Sequence, residues 1–387
     1  MTHIRSLLFI IYSLSFSYAV AQVDSLRIKL DSLLRDPLFE TTQVGMMVYD
    51  LDADSVLFQY QARQLMRPAS TMKLVTAITA LDRLGGSYEY QTRIFYTGTI
   101  ADSTLTGNLY CVGGFDPSLT TDDVAVIAES IRQAGITRIV GNIIGDKQMK
   151  EVLDYGEGWC WDDDNPSLSS LLINGKDDFI SQFAQQLDKD SIFPDGPAEY
   201  AALPKDAVLL CQRSHSLEDV LVPMMKDSNN LYAESMFYQI GAATGARPAK
   251  SSHARNAIKR TLHKAGITGS HYKIADGSGL SLYNYVTPEL LTKLLVYAYR
   301  HPSIYRYLYV SLPVAGEDGT LKKRMKDTPA QISVRAKTGT LTGISSLAGY
   351  AVATNNHVLA FAIINQGVMK NDQGRNFQDK VCTAMCK

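Results

Sequence analysis

The chain has 387 residues, enough for a large core and for two domains. Hydrophobic residues make up 45%, which excludes a disordered chain, and a formal net charge of -1 gives no basis for binding nucleic acid. The five cysteines show no CxxC spacing and their odd number leaves at least one unpaired. The seven histidines show no HExxH or HxH spacing, so no metal and no cofactor is expected.

His3 and Arg5 precede the apolar run Leu7 to Phe16, and Ala19-Val20-Ala21 offers a small-residue cleavage site. This is the pattern of an export signal over 1–21, cut before Gln22. The run is short for a spanning helix, and no later stretch is longer and as apolar. The mature chain is therefore expected to be exported, periplasmic or extracytoplasmic, with at most peripheral membrane contact.

Val44 to Tyr49 and Ser55 to Tyr60 flank an aspartate-rich turn and read as a β-hairpin. A helix is expected to start near Pro68, with Val75, Ile78, Leu81 and Leu84 on one face and Gly85-Gly86 as its stop. The chain then turns strand-rich from Tyr88 to Gly114. Asp122 to Ala134 reads as a helix, Arg138 to Gly145 as a strand and Asp178 to Leu187 as a helix. Residues 87–215 are expected to form a domain inserted into 22–86 and 216–387. Further helices are expected over 217–225, 231–241, 254–265 and 288–300. Strands follow over 333–340, 346–353 and 357–365, and the last helix over 374–386 carries Cys382 and Cys386 on one face. Strands at both ends and helices between them predict an α+β fold with one antiparallel sheet.

Ser70-Thr71-Met72-Lys73 lies at the mouth of the first apolar helix. Residues three apart on a helix share a face. A desolvated lysine amine there can take the proton of the serine hydroxyl and make it a nucleophile. The unpaired N–H groups of the helix start favour developing negative charge. One SxxK is weak, since Ser270-His271-Tyr272-Lys273 repeats it before a glycine-rich loop. Two further segments strengthen it. Ser228-Asn229-Asn230 breaks a helical stretch and presents a hydroxyl and an amide. Lys337-Thr338-Gly339-Thr340 ends a predicted strand, where a cation and hydroxyls can hold a carboxylate. SxxK, SxN and KTG in this order form the set of class A β-lactamases and penicillin-binding proteins.

The segment Lys226 to Glu234 resembles the second motif of the penicillin-binding proteins of peptidase family S13, the D-alanyl-D-alanine carboxypeptidase/endopeptidases. So do Asp276-Gly277-Ser278-Gly279-Leu280-Ser281, Tyr283-Asn284, Val286-Thr287-Pro288, Ser311 to Gly316 and Asp318-Gly319-Thr320-Leu321. The resemblance runs from about 40 to 370. It implies a β-lactamase/transpeptidase-like domain with a smaller inserted α/β domain. Ser70 and Ser228 stand close in sequence for the longer family members, so a nested domain of those members is expected to be largely missing near 178–207.

What the resemblance implies for the residues is consistent with their chemistry. Ser70 attacks the carbonyl of the penultimate D-alanine and Lys73 is the base. Ser228 relays the proton to the leaving D-alanine, and Asn230 orients Lys73 or a substrate amide. Lys337 and Thr338, with Thr340, bind the terminal carboxylate, Gly339 lets the substrate backbone approach, and the N–H groups of Ser70 and Thr340 form the oxyanion hole. Asp163, in the run Trp159 to Asp163, meets the amino group of the stem peptide. The implied partners are peptidoglycan stem peptides ending in D-Ala-D-Ala, with β-lactam antibiotics as covalent inhibitors. Two other readings stay open. A serine β-lactamase needs a glutamate-held water, and no glutamate with ExxxN context occurs between 151 and 200. A non-catalytic cell-wall or β-lactam sensor would not need the nucleophile and base, and both are present.

Overall fold

The strands expected at the two ends of the chain pair into one sheet. The computed structural model describes residues 26–269 and 271–387, so the expected export signal and Ser270 lie outside the described residues. Two compact units divide the chain. One takes the chain up to Thr71 with Tyr285–Tyr297 and Leu312–Lys387. The other takes Met72–Asn284 and Ala298–Ser311.

The sheet of the first unit has the order Val334–Leu341, Ile344–Val352, Val358–Gln366, Gln43–Asp50, Ser55–Tyr60, antiparallel throughout. Asp50 closes the hairpin turn by accepting the N–H groups of Asp52 at 3.0 Å and Ala53 at 2.9 Å. The period of two puts Val44, Met46 and Val48 on the same face as Leu359, Phe361 and Ile363. Phe377, Val381, Cys382 and Met385 of the helix Asn371–Met385 join that core, as does Leu30 of a helix over 26–33.

The helix Met72–Arg83 belongs to the second unit and is buried without a break from Met72 to Leu81. A helix apolar all round is a central one. It packs against Asn230–Ala242, Ser251–Lys264 and Pro302–Ser311. The same unit holds two sheets. One has the order Ala198–Tyr200, Ile143–Asp146, Leu109–Val112, Glu89–Tyr96, Val208–Ser216, and the other Thr99–Ala101, Thr104–Thr106, Arg138–Val140, Phe193–Pro194. Residues between Ile94 and Ile192, including the helices Thr121–Gln133 and Phe179–Lys189, close a core of their own.

Two local expectations need correction, and one helix has no counterpart among them. Arg138 to Gly145 is two strands in different sheets, because Gly141 (φ 159°) turns the chain where a Cβ would lie 2.2 Å from the Gly107 carbonyl oxygen. The helix expected from Pro68 begins as a 3-10 turn over Ala69–Thr71, with Ala69 at φ 46°, and becomes α-helical at Met72. Pro302–Ser311 is a helix that its tyrosine-rich sequence does not announce. Among the described residues no helix is long and apolar enough to cross a membrane.

Candidate active site

Lys73 sits on the first turn of the Met72 helix and is fully buried. Its Nζ donates to Asn230 Oδ1 at 2.7 Å and to the Ser278 carbonyl oxygen at 2.8 Å. Burial lowers its pKa to about 7, against the opposing pull of the Asp276 and Glu234 carboxyls. Near neutral pH a large fraction of such an amine is unprotonated and can accept a proton.

The carbonyl that holds Lys73 belongs to a tightly bonded loop. Asp276, itself buried, accepts N–H groups from Gly279 (2.8 Å) and Ser281 (2.7 Å), the Asn284 amide (2.6 Å) and the Trp159 indole (2.8 Å). Glu234 Oε1 accepts the N–H groups of Gly277 at 3.0 Å and Ser278 at 2.8 Å. Thr76 Oγ1, on the Lys73 helix, donates to the Gly277 carbonyl at 2.7 Å. Burial first, then the Asp276 charge, raises the Glu234 pKa to about 8. Glu234 is thus mainly protonated at neutral pH.

The SxN segment lies between the helices Leu217–Lys226 and Asn230–Ala242. Pro223 inside the first helix and Asp227 after it end the run. Asn229 then caps the second helix, accepting the N–H of Tyr232 at 3.3 Å. Ser228 is held at φ 62°, an uncommon conformation for a residue with a Cβ. Asn230 and Glu234 are four apart and share a face of the helix.

In the first unit, the Ser70 turn is tied to the sheet. The Pro68 carbonyl accepts the hydroxyls of Thr71 at 2.7 Å and of Ser346 at 2.5 Å. Ser346 pairs with Gly339 in the adjacent strand. A Cβ on Gly339 would lie 2.2 Å from Ser346 Oγ, 2.7 Å from the Pro68 oxygen and 3.0 Å from the Ser70 nitrogen. Only glycine lets the strand pass this close to the Ser70 backbone. Lys337 is fully buried and donates to the Thr338 carbonyl at 2.8 Å. Thr338 Oγ1 donates to Thr320 Oγ1 at 2.8 Å, and Thr340 Oγ1 accepts from Arg375 at 3.3 Å.

The chain therefore groups Lys73 with Asn230 in one unit and Ser70 with the Lys337 strand in the other. Asp163 stands apart. It is exposed, its carboxylate accepts the Cys160 N–H of its own turn at 3.1 Å, and it lines a cavity with Lys147, Lys150, Trp161 and Asp177. Lys273 of the second SxxK copy is a surface lysine, 3.2 Å from Glu157 and over the Tyr283 ring. Sequence reading gave no role to Glu234, Asp276 or Ser278. The signals were there: a glutamate one turn after Asn230, and an Asp-Gly-Ser-Gly loop whose aspartate can collect backbone N–H groups.

The model of the D-Ala-D-Ala carboxypeptidase 3 (S13) family matches residues 26–171 and 165–385. The chain belongs to that family. It is thus a member of a serine D-Ala-D-Ala carboxypeptidase family, with an α+β fold. It is 25% identical to the D-alanyl-D-alanine carboxypeptidase of Actinomadura sp. (strain R39), over 90% of this chain and 82% of that one. It is 30% identical to a carboxypeptidase of Mycolicibacterium smegmatis, over 82% and 75%. The Actinomadura alignment runs over 444 positions, more than the 387 residues here, so that S13 relative carries residues this member lacks. The crystal structure of penicillin binding protein 4 from Haemophilus influenzae superposes with a TM-score of 0.83 at 24% identity, covering 91% of this chain and 97% of that one. A penicillin G-acylated predatory endopeptidase from Bdellovibrio bacteriovorus shares the fold at a TM-score of 0.60 and 16% identity, covering 87% and 91%.

Proposed function

We propose that this S13 member hydrolyses stem peptides ending in D-Ala-D-Ala through an acyl-enzyme on Ser70, in cell-wall remodelling outside the cytoplasm. The observation that carries the reading is Lys73: buried, bonded to Asn230 and Ser278, with a pKa near 7, three residues after Ser70 in one continuous helical run. Ser70 Oγ adds to the carbonyl carbon of the penultimate D-alanine while its proton passes to Lys73 Nζ. The N–H groups of Ser70 and Thr340 receive the oxyanion. Collapse of the tetrahedral intermediate breaks the peptide C–N bond. The leaving amine takes a proton from Lys73, relayed by the Ser228 hydroxyl, and D-alanine departs. Water then hydrolyses the ester and restores Ser70. Lys337, Thr338 and Thr340, with Gly339 leaving room for the substrate backbone, hold the terminal carboxylate. Asp163 faces the amino group of the stem peptide.

β-Lactams present a strained amide with a carboxylate at a similar place and acylate the same serine. Residues 87–215, with their own core, act as an inserted domain. The apolar leader over 1–21 supports export.

The test is D-alanine release from a pentapeptide, with fluorescent penicillin as a covalent label. The wild type should release D-alanine and hold the label slowly, and Ser70→Ala should do neither. Full release by Ser70→Ala would overturn the reading, and rapid penicillin turnover would make the chain a β-lactamase. A cross-linked dimer peptide, run in parallel, reports endopeptidase activity.

A further inference from the structure

The strand Glu89–Tyr96 turns Tyr90 and Ile94 into the protein interior and Gln91 and Arg93 to the opposite face of its sheet. On that face Arg93 pairs with Val112, and Val112 with Asp146, so their Cα atoms stand two strands apart, roughly 10 Å. A cavity of about 250 Å³ opens there, lined by Arg93, Arg247, Glu89, Asp146, Gln239 and the Gly113-Gly114 backbone, with Tyr88 beside them.

Its two arginines stand outside any ion pair: neither Arg93 nor Arg247 pairs with a carboxylate among the described residues. Arg93 Nε is shut off from solvent and has no acceptor. A buried donor left unmade is unfavourable, and a second guanidinium close by adds repulsion. Burial first, and then the Arg247 charge, lower the Arg93 pKa. Two carboxylates also line the cavity, and neither bonds an arginine: Asp146 accepts the N–H groups of Gln148 at 2.7 Å and Leu203 at 2.8 Å, its charge opposing the lowering of the Arg93 pKa, and Glu89 is exposed at the start of the strand. Tyr88 OH and the Gln239 amide are also fixed, the hydroxyl donating to Gln239 Oε1 at 2.8 Å and the amide to the Gly114 carbonyl. What Arg93 Nε lacks is an acceptor, and two guanidinium groups lining one cavity supply the donors that bind carboxylate and phosphate.

We propose that Arg93 and Arg247 form a binding site for a small oxyanion, a carboxylate or phosphate group. The site lies outside the residues assigned to hydrolysis, and neither arginine takes part in that chemistry. The cavity has room for inorganic phosphate or for a free amino acid, which would set its carboxylate on the two arginines.

Calorimetric titration of the whole mature chain tests this, with inorganic phosphate in one arm and D-alanine in the other. Chloride at matched ionic strength is the control. Saturable binding of phosphate or of D-alanine that both glutamine variants weaken supports the proposal and names the anion, whereas binding that both variants keep is capture elsewhere, as at the Lys337 clamp, and counts against it. Arg247→Gln changes an exposed residue and should leave folding and penicillin acylation unchanged. It should weaken the anion by about tenfold, the size of one charge-assisted hydrogen bond. Arg93→Gln should weaken it at least as much, and Arg93→Lys should restore part of the loss. No saturable binding in either arm, or equal affinity in wild type and both glutamine variants, overturns it.

Discussion

At the scale of single residues, Lys73 ties structure to rate through its protonation. With a pKa near 7, the amine is mostly neutral above that pH and mostly charged below it. Acylation by penicillin should therefore rise about tenfold per pH unit below 7 and level off above it. Lys73→Ala should slow acylation by about 10²- to 10⁴-fold and remove the acid limb, as measured by stopped-flow or quenched labelling across pH. Glu234 gives a sharper check. It bonds the two N–H groups of the loop whose carbonyl holds Lys73, and its charge raises the Lys73 pKa. Glu234, with its pKa near 8, is already protonated over the acid limb, so Glu234→Gln keeps an oxygen for those N–H groups, removes no charge there and should leave the limb in place. A limb that moved to lower pH would show instead that Glu234 keeps its charge below pH 7 and would refute its protonated state. SxxK, SxN and KTG were readable as strings because each needs particular residue types at fixed spacing. Glu234 was not, since its role depends on where the 276–281 loop comes to rest.

At the scale of elements, the strand Val334–Leu341 must pass close to the turn that carries Ser70. Gly339→Ala would press a methyl group against Ser346, Pro68 and Ser70. The sheet is held by its own ladder and should survive, with only a small loss in melting temperature. Penicillin acylation should fall by about 10²-fold, since displacements of about 1 Å at a reacting centre have effects of that size. A rate within twofold of wild type would refute this reading of Gly339. A second element-scale test concerns the strand Val208–Ser216. His215 Nδ1 lies 2.6 Å from Asp116, and its other nitrogen lies 3.5 Å from Asp123, which Arg213 also holds at 2.6 Å. The hydrogen bond to Asp116 raises the His215 pKa. A raised histidine contributes stability that is full below its unfolded pKa, about 6.5, and fades as pH rises through the folded value. His215→Gln should thus lower the melting temperature more at pH 5.5 than at pH 9, and an equal loss at both would show that the charge is not involved. The elements themselves were legible where periodicity was strong, as in the hairpin from Gln43 to Tyr60 and the helix Asn371–Met385. They were obscure where a single backbone angle decides, as at Gly141, or where aromatic residues mask a helix, as in Pro302–Ser311.

At the scale of the whole molecule, the α+β class followed from strands at both ends with helices between them, but cysteine pairing did not, because pairing depends on strand order. Cys111 and Cys211 are each in register with Ile94, one on either side of it. They stand two strand spacings apart, roughly 10 Å, beyond the roughly 7 Å that a disulfide spans between Cα atoms. Cys382 and Cys386 are one helical turn apart, where Cβ atoms lie about 5–6 Å from each other against about 3.8 Å in a disulfide. Burial raises all four thiols, Cys211 to about 11 and Cys386 to about 12, which suppresses the thiolate that oxidation needs. Cys160 differs in being partly exposed on its loop. An exported chain with five cysteines would ordinarily be expected to rest on disulfides. Here all five stand as free thiols, so the fold's stability has to come from its packed cores. Thiol titration should find one fast-reacting group in the native protein, Cys160, and five in denaturant without reductant. Reductant should shift the melting temperature by no more than about a degree, whereas loss of a disulfide worth about 2–4 kcal/mol would shift it by several. Three thiols in denaturant, or a reductant-sensitive melt, would mean that a bridge forms against this strand order.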